Sequence, residues 1–513
     1  MTLLISLIIY LWTSLPLLKI IQIKDYFSPS IWAHFDLPSS WKIFFEKREI
    51  VIGLIWFALL AIAITGANFP IHSIWGLLSL ILVIALFSKR KEFLKSFKWT
   101  PKFLFINALL LILIFRILQY SNTNLLIVVF LLAKIGQFPI VLISTFIANF
   151  STKIFIKPLH KKATAKIIEF KKNGGKVIGI TGSYGKSTTK ELLAQLLSVR
   201  YKVLKSPLRL NAEIGLTQFV IDADLKNIDY LILEMGARIV GDIETVVNIF
   251  EPDIVYLTGL APQHIATFGS MEKIIKTKLE IFAREQQTRI AILNGDDELV
   301  KDIFSGLNIT NKYLYGRDGH FYSKNENYSL NGTKFTFVYP EGETEFETNL
   351  ITPQQIDNLI GVMAGCYLNG IKPDELTDKI KELKLLQHSY TISKKENPLI
   401  IDDSYNANIV GVQKGAEYFV NLELQTKIII FAGILELGAE TQSYYKNIIE
   451  TFKKTDKVFL TFKDFSDIFT ENLNNTEIID EEKFKNFYNE LQKENCGILI
   501  LGRVPNWIFE IIK

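Results

Sequence analysis

The sequence predicts a helical, membrane-spanning N-terminal domain followed by two α/β units, each with a parallel sheet. Three observations support this fold class. Stretches without charge are concentrated in the first 150 of the 513 residues. From Lys176 onward, short apolar runs alternate with helix-like stretches, which is the rhythm of strand–helix–strand units. A glycine-rich turn at 181–188 joins the first of these runs to a Leu-rich stretch.

Five apolar stretches in the N-terminal part each reach about the length needed to cross a bilayer. They are 2–22, 50–68, 71–88, 103–119 and 124–150. A signal peptide is the alternative for the first stretch, but it lacks a basic start and a clear cleavage site, so five retained helices are predicted. Lysine and arginine follow the first, third and fifth stretches. The positive-inside rule therefore predicts a multi-pass plasma-membrane protein with its N-terminus outside and its soluble part in the cytoplasm.

Composition narrows the function classes. The 57 basic residues nearly balance the 53 acidic ones, so nothing in the overall charge indicates a nucleic-acid partner. Cys366 and Cys496 lie far apart without metal-ligand spacing, and we expect both to be buried thiols. The predicted domains are a transmembrane domain at 1–150, a basic linker helix at 151–174, a central domain at 175–395 and a C-terminal domain at 396–513.

Strand-like runs place the elements of the two α/β units. In the central domain they fall at 177–180, 202–205, 230–235, 253–259 and 289–293, with helices between them at 187–199, 212–220, 240–249 and 271–285. Turn-rich strands at 312–350 predict a small antiparallel sheet. The second unit has strand-like runs at 399–402, 427–432, 457–460 and 497–501.

The turn at 181–188 has the spacing Gly-x-x-Gly-Lys-Ser and lies where a strand meets a helix N-terminus. Glycines let the backbone approach an anion, and the free N–H groups of the helix start point at it. Lys186 can reach the outer phosphates of a nucleotide, and Ser187 or Thr188 can offer a hydroxyl to Mg²⁺. An ordinary turn with a chance Gly-Lys is the alternative. The flanking strand and helix favour a P-loop-type ATPase domain, with Gly182, Ser183, Gly185, Lys186, Ser187 and Thr188 at the nucleotide.

A second apolar run, 231–233, ends in Glu234 and is followed by a glycine. A carboxylate at this strand end, beside a phosphate loop, can hold Mg²⁺. Further motifs follow in order at 263–270, 276–282, 293–297 and 402–408. Together with the loop, they resemble the Mur ligase family, in the branch that adds D-alanyl-D-alanine to a muramoyl tripeptide. The resemblance covers about 175–513 and implies a Rossmann-like C-terminal domain.

The resemblance implies an ATP-dependent amide ligase of bacterial cell-wall synthesis. In such enzymes ATP phosphorylates a carboxylate, and an amine attacks the resulting acyl phosphate. Lys186, Lys278 and His264 would be the catalytic residues, and Ser187, Glu234, His264 and Lys278 would serve two Mg²⁺ ions. Asn294 and Asn358 match positions near the adenine, and Asp403 matches one at the ribose.

Lys278 matches a lysine that is carbamylated in relatives, which turns a cation into an anion able to bind a second Mg²⁺. The alternative is a solvated lysine on a helix beside Lys273 and Lys276, because runs of charge usually face solvent.

Two departures leave alternatives open. An arginine that reaches the nucleotide in the family is absent, and this chain has Gln387-His388-Ser389-Tyr390 there. The domain that grips uridine diphosphate has no counterpart, and apolar stretches stand in its place. The acceptor could therefore be a lipid-linked or a soluble cell-wall peptide precursor, and the incoming amine D-alanyl-D-alanine or another amino acid or dipeptide. Two alternative functions are a poly-γ-glutamate-synthase-like ligase and a nucleotide-binding scaffold without turnover.

Overall fold

The structure is a computed structural model that describes residues 156–512 apart from some short gaps. The gaps are His264, 285–289, 395–397, Asn406, 435–436, 438–440 and 492–494. The chain divides into two compact units, Met1–Ile156 and Lys157–Lys513. The described elements belong to the second unit, apart from Ile156 at the start of the first helix.

The first part of this unit is built on a six-stranded parallel sheet with the strand order β2-β3-β1-β4-β5-β6. The strands are β1 (Lys176–Thr181), β2 (Val203–Lys205), β3 (Tyr230–Glu234), β4 (Ile254–Leu257), β5 (Ile290–Asn294) and β6 (Asn311–Tyr315). The helices are α1 (156–172), α2 (Lys186–Leu197), α3 (Glu213–Asp222), α4 (Asp242–Phe250), α5 (Ile265–Phe268), α6 (Met271–Leu279), α7 (Glu298–Gly306) and α8 (Pro353–Leu368). A 3₁₀ turn, Glu280–Phe282, follows α6.

Helices cover both faces of this sheet, which explains why its strands are continuous apolar runs. All five residues of β3 and all four of β4 are buried. Alternate side chains point to opposite faces, so Ile178 and Ile232 join the core under α2 and α8, while Val177 and Leu231 join the other core. At the start of α8, Thr352 caps the helix and Gln355 completes a capping box.

A three-stranded antiparallel sheet and a second six-stranded sheet follow. The small sheet contains β7 (Tyr322–Ser329), β8 (Gly332–Tyr339) and β9 (Gly342–Thr348). A 3₁₀ turn at Pro373–Leu376 and helix α9 (Thr377–Lys381) lie between α8 and the second large sheet. That sheet has the order β10-β11-β15-β12-β13-β14 and is parallel except at β10.

The strands of the second large sheet are β10 (Thr391–Lys394), β11 (Leu399–Asp403), β12 (Thr426–Phe431), β13 (Lys457–Leu460), β14 (Thr476–Ile478) and β15 (Cys496–Leu501). Its helices are α10 (Ile409–Val420), α11 (Thr441–Phe452), α12 (Ser466–Asn472), α13 (Glu481–Glu490) and α14 (Asn506–Ile512).

The predicted fold class is corrected to α/β. The five predicted membrane helices at 1–150 lie outside the described residues. Among the described helices, none has both the length and the apolar character needed to cross a membrane. The apolar runs of the described part are short strands buried between helices. The multi-pass plasma-membrane localisation, with its external N-terminus, rested on those five helices and is corrected with them. The two cysteines are free and buried, as predicted.

Candidate functional site

The turn after β1 requires glycine at two positions. Gly182 has φ 149°, and a Cβ there would lie 2.3 Å from the Thr258 Oγ1. Gly185 has φ 77° at the start of α2, and its Cβ would lie 2.8 Å from the Asn358 Oδ1. Neither position has room for a side chain, so glycine at both lets the loop backbone lie close to the end of β4 and to α8. Glycine also leaves the backbone N–H groups at the helix N-terminus accessible to an anion.

Lys186 lies over this loop. Its Nζ donates hydrogen bonds to the carbonyl oxygens of Gly182, at 2.6 Å, and Ser183, at 3.3 Å. Burial lowers the pKa of Lys186, and the charge of Glu234 opposes that shift. Ser183 is 2% exposed, and its buried hydroxyl has no hydrogen-bond partner among the described residues. A buried hydroxyl without a partner beside free helix N–H groups fits a bound phosphate.

Glu234, at the end of β3, lies beside the loop. The Ser187 hydroxyl donates to its Oε2 at 2.9 Å, and the Lys190 Nζ lies 3.3 Å from the same oxygen. The Asn211 side chain donates to Oε1 at 3.0 Å. Burial alone would raise the pKa of Glu234. The charges of Lys186 and Lys190, with the hydrogen bonds from Asn211 and Ser187, outweigh it and lower the pKa. The carboxylate is therefore ionised at neutral pH.

These ligands fit Mg²⁺, which takes oxygen donors and is commonly held by one or two carboxylates together with substrate phosphates. Ser187 supplies a hydroxyl and Glu234 a carboxylate at adjacent positions. In the described residues, no three His, Cys, Asp or Glu side chains converge on a metal position. His264, predicted as a ligand, lies outside the described residues.

Lys278 is buried in the last turn of α6, with 4% of its surface exposed. Burial, and then the positive charge of Lys186, lowers its pKa to about 7, against the opposing charges of Asp242, Glu280 and Glu234. The alternative of a solvated lysine is therefore wrong, whereas Lys273 and Lys276 on the same helix are exposed.

The back of the loop is fixed by side chains from β4 and β5. The Thr258 hydroxyl donates to the Thr181 carbonyl at 3.2 Å and also contacts the Tyr184 carbonyl. The Asn294 amide donates to the Thr258 carbonyl at 3.0 Å. Asn294 and Asn358 thus both lie behind the loop, Asn294 through Thr258 and Asn358 against Gly185.

Tyr184 points away from the phosphate side of the loop. Its hydroxyl donates to the Asp297 carboxylate at 2.8 Å, and the same oxygen accepts from the Leu260 N–H at 2.7 Å. Asp297 also caps α7 by accepting from the Val300 N–H. One carboxylate therefore ties the loop, the end of β4 and a helix start together.

Asp403 ends β11 in the second large sheet and is not bonded to the phosphate loop by any described contact. It accepts from the Tyr390 N–H at 3.1 Å. Burial, and then the charge of Asp402, raises its pKa to about 7 despite that hydrogen bond. In the segment 387–390, where the resemblance predicted an arginine that the sequence lacks, His388 Nδ1 lies 2.5 Å from the Asp402 Oδ2. The imidazole of this segment is therefore paired with a carboxylate.

The partners of the Glu234 carboxylate were not predicted from the sequence. Lys190 lies one helical turn after Lys186, so the helical period could have placed both lysines on the same face of α2. Asn211 follows β2 and could have been found as another polar residue at the same sheet edge. Thr258 and Asp297 give no comparable signal in the sequence, because their roles depend on contacts distant along the chain.

Comparison with known proteins agrees with this geometry. Residues 180–366 match the Mur ligase middle domain. The resemblance predicted from the motifs is confirmed for this part of the chain.

Several curated relatives share one description. The UDP-N-acetylmuramoyl-tripeptide–D-alanyl-D-alanine ligase of Bacillus subtilis is 30% identical over 290 residues, covering 56% of this chain and 62% of the relative. The Escherichia coli protein of the same description is 27% identical over 282 residues, covering 54% and 62%. The chain thus spans about three fifths of the length of these relatives.

Solved structures show the same fold. The MurF ligase of Thermotoga maritima in complex with ADP is 24% identical, with a TM-score of 0.62, covering 70% of this chain and 82% of that one. MurF of Acinetobacter baumannii is 19% identical, with a TM-score of 0.64, covering 69% and 80%. These likenesses establish the Mur ligase α/β fold of the described part.

Proposed function

We propose that the protein is an ATP-dependent amide ligase that joins D-alanyl-D-alanine to a muramoyl tripeptide. The observation that carries the proposal is the convergence of the loop, Glu234 and the buried Lys278 at one end of the sheet, within the residues that match the Mur ligase middle domain. The substrates come from the description shared by the relatives.

In this proposal the phosphates of ATP bind at the N-terminus of α2. The loop N–H groups and Lys186 neutralise the β- and γ-phosphates, and Lys186 exchanges its contacts with the Gly182 and Ser183 carbonyls for phosphate oxygens. Ser187 and Glu234 would hold Mg²⁺, which would supply charge neutralisation at the transferring phosphoryl group. Lys190 and Asn211 keep the Glu234 carboxylate ionised and oriented.

Two transfers then complete the reaction. An oxygen of the acceptor carboxylate attacks the γ-phosphorus, and the bond to the β-phosphate oxygen breaks to release ADP. The amine nitrogen of the dipeptide attacks the acyl carbon, the bond to the phosphate oxygen breaks, and the nitrogen loses a proton. The site lowers both barriers by holding the reactants and neutralising their charges.

Carbamylation of Lys278 belongs to the proposal and is supported by its pKa. A neutral amine is the form that attacks CO₂, giving a carbamate and one released proton. At pH 7 about half of a population with a pKa near 7 is neutral, against fewer than about one in a thousand ordinary lysines. The carbamate would face Lys186 as an anion, which replaces the repulsion between two cations with attraction.

The test is release of ADP that depends on both substrates. We expect the full-length protein with Mg-ATP to release ADP when UDP-linked muramoyl tripeptide and D-alanyl-D-alanine are both present, and to form the amide product by mass. Glutamate in place of the dipeptide tests the poly-γ-glutamate-synthase-like alternative. Nucleotide binding without ADP release for any pair of substrates would overturn the ligase proposal and leave the scaffold.

The lipid-linked acceptor followed from the predicted membrane helices, so the correction of the fold class removes its support. The proposed acceptor is the UDP-linked peptide named for the relatives.

A further inference from the structure

The loop at 206–211 joins β2 to α3 and is fixed around Glu234. The Ser206 hydroxyl accepts from the Glu234 N–H at 3.2 Å, and the Asn211 amide donates to the Glu234 carboxylate at 3.0 Å. The Asn211 carbonyl also accepts from the Gly236 N–H at 2.8 Å. Whatever the middle of this loop carries is therefore held at a fixed distance from the carboxylate that we assign to Mg²⁺.

The middle of the loop carries Arg209, whose backbone has φ 65°. This left-handed conformation is uncommon for a residue with a long side chain, and such residues cluster at functional sites. The side chain is exposed, and its guanidinium carbon lies 5.6 Å from the centroid of the Tyr405 ring, which follows β11 of the other large sheet. Arg209 thus spans the gap between the carboxyl edges of the two sheets.

The Arg209 guanidinium has the chemistry of a ligand site. Among the described residues, the guanidinium contacts the Tyr405 ring and is not paired with a carboxylate. Stacking on an aromatic face orients a guanidinium and leaves its N–H groups free for an oxyanion, which they can bind with two parallel hydrogen bonds. By contrast, Arg200 at the opposite end of β2 donates to the Gly370 carbonyl at 2.7 Å and lies near Glu375.

Exposed aliphatic side chains lie on the loop that carries Arg209, on the helix that follows it and on the neighbouring loop. Leu208 is 49% exposed and Ile214 48%. Ile239 and Val240, in the loop after β3, are 38% and 39% exposed. The hydrogen bond between Gly236 and Asn211 joins the two loops. A charged group set among exposed apolar side chains suits a ligand that has both an anionic group and an apolar body.

We propose that Arg209, held against Tyr405, binds an oxyanion group of the acceptor and so fixes the acceptor carboxylate beside Glu234. The inference rests on the proposed function. It assigns the acceptor to the edge formed by the loops after β2 and β3. The oxyanion is either a peptide carboxylate or the diphosphate of the carrier, since both offer the same paired oxygens to a guanidinium.

The test compares the full-length parental protein with Arg209→Gln, Arg209→Lys and the control Arg200→Gln. In Arg209→Gln we expect the KM for UDP-linked muramoyl tripeptide to rise about 10- to 100-fold, the loss expected for a charge-assisted hydrogen bond. The KM values for ATP and the dipeptide should stay within about twofold of the parental values, since Arg209 is assigned to the acceptor alone. Arg209→Lys keeps the charge and should recover part of the loss. Arg200→Gln should match the parental protein.

Muramoyl tripeptide without uridine diphosphate identifies the source of the oxyanion. A rise in KM that persists with this acceptor assigns a peptide carboxylate, and one that disappears assigns the diphosphate. An unchanged acceptor KM in Arg209→Gln would overturn the inference and leave the ligase proposal standing, as would a rise confined to the dipeptide KM. Absence of turnover by the parental protein would overturn the ligase proposal itself, and this inference with it.

Discussion

Replacing Lys278 with methionine should make the protein more stable while abolishing its turnover. Methionine keeps most of the volume of the buried side chain and removes its amine. Lowering a pKa from 10.5 to about 7 corresponds to about 5 kcal/mol at 1.36 kcal/mol per pH unit, an upper figure for the cost of burying the charged amine. We expect a gain of a few kcal/mol from Lys278→Met at pH 7, because relaxation around the amine reduces that cost.

The pH dependence gives the sharper form of this prediction. Below pH 7 the amine is protonated in both states, so the full cost is present. Between about pH 7 and 10.5 the unfolded chain binds more protons than the folded one, so the stability of the parental protein rises with pH. The advantage of Lys278→Met should therefore shrink by about 1.4 kcal/mol for each pH unit across this window.

The assay is urea unfolding of the full-length proteins at pH 6 to 9 in CO₂-free buffer, where Lys278 is unmodified. Lys276→Met, a change at an exposed lysine of the same helix, is the control and should show no such slope. A stability difference between Lys278→Met and the parental protein that is constant from pH 7 to 9 would refute a buried amine with a lowered pKa.

Three further changes test the nucleotide site. Lys186→Ala should lower ADP release by at least about 100-fold, and circular dichroism should show an unchanged fold because, among the described residues, the hydrogen bonds of this side chain go to its own loop. Glu234→Gln should raise the Mg²⁺ concentration needed for half-maximal rate by at least about tenfold. The same requirement should match the parental protein in Glu213→Gln, a change at a half-buried glutamate of α3 whose carboxylate lies 2.9 Å from the His160 Nε2. Gly185→Ala places a methyl group 2.8 Å from the Asn358 oxygen, on a backbone whose φ of 77° disfavours alanine. The loop must shift to accept it, so calorimetry should show ATP binding at least about tenfold weaker. Parental affinity in Gly185→Ala would show that the loop can move without cost.

The central sheet could be predicted because its strands are buried on both faces. The run at 177–180 is observed as Lys176–Thr181, and Glu234 ends β3, where the sequence placed a carboxylate. Parallel strands present their carboxyl ends at one edge, so the convergence of the loop and Glu234 followed from the pattern alone. The predicted helix at 187–199 is observed as Lys186–Leu197.

Other elements depended on tertiary contacts. The segment 312–350 was predicted as a small antiparallel sheet, but Asn311–Tyr315 joins the parallel sheet beside β5, and the small sheet begins at Tyr322. Short edge strands such as Thr391–Lys394 and Thr476–Ile478 escaped prediction because few of their residues are buried. The lowered pKa of Lys278 could not be read from the sequence, since it comes from burial and from a lysine distant along the chain. The predicted domain boundaries and the roles of His264 and Asp403 stay predictions.

Ligation through an acyl phosphate can be tested by following oxygen. A muramoyl tripeptide with ¹⁸O in its reacting carboxylate is incubated with the full-length protein, Mg-ATP and D-alanyl-D-alanine, and the released phosphate is analysed by mass. We expect one ¹⁸O atom in each phosphate formed along with the amide, because the carboxylate oxygen attacks the γ-phosphorus and leaves with it. Phosphate that carries oxygen only from ATP and water would contradict an acyl phosphate intermediate.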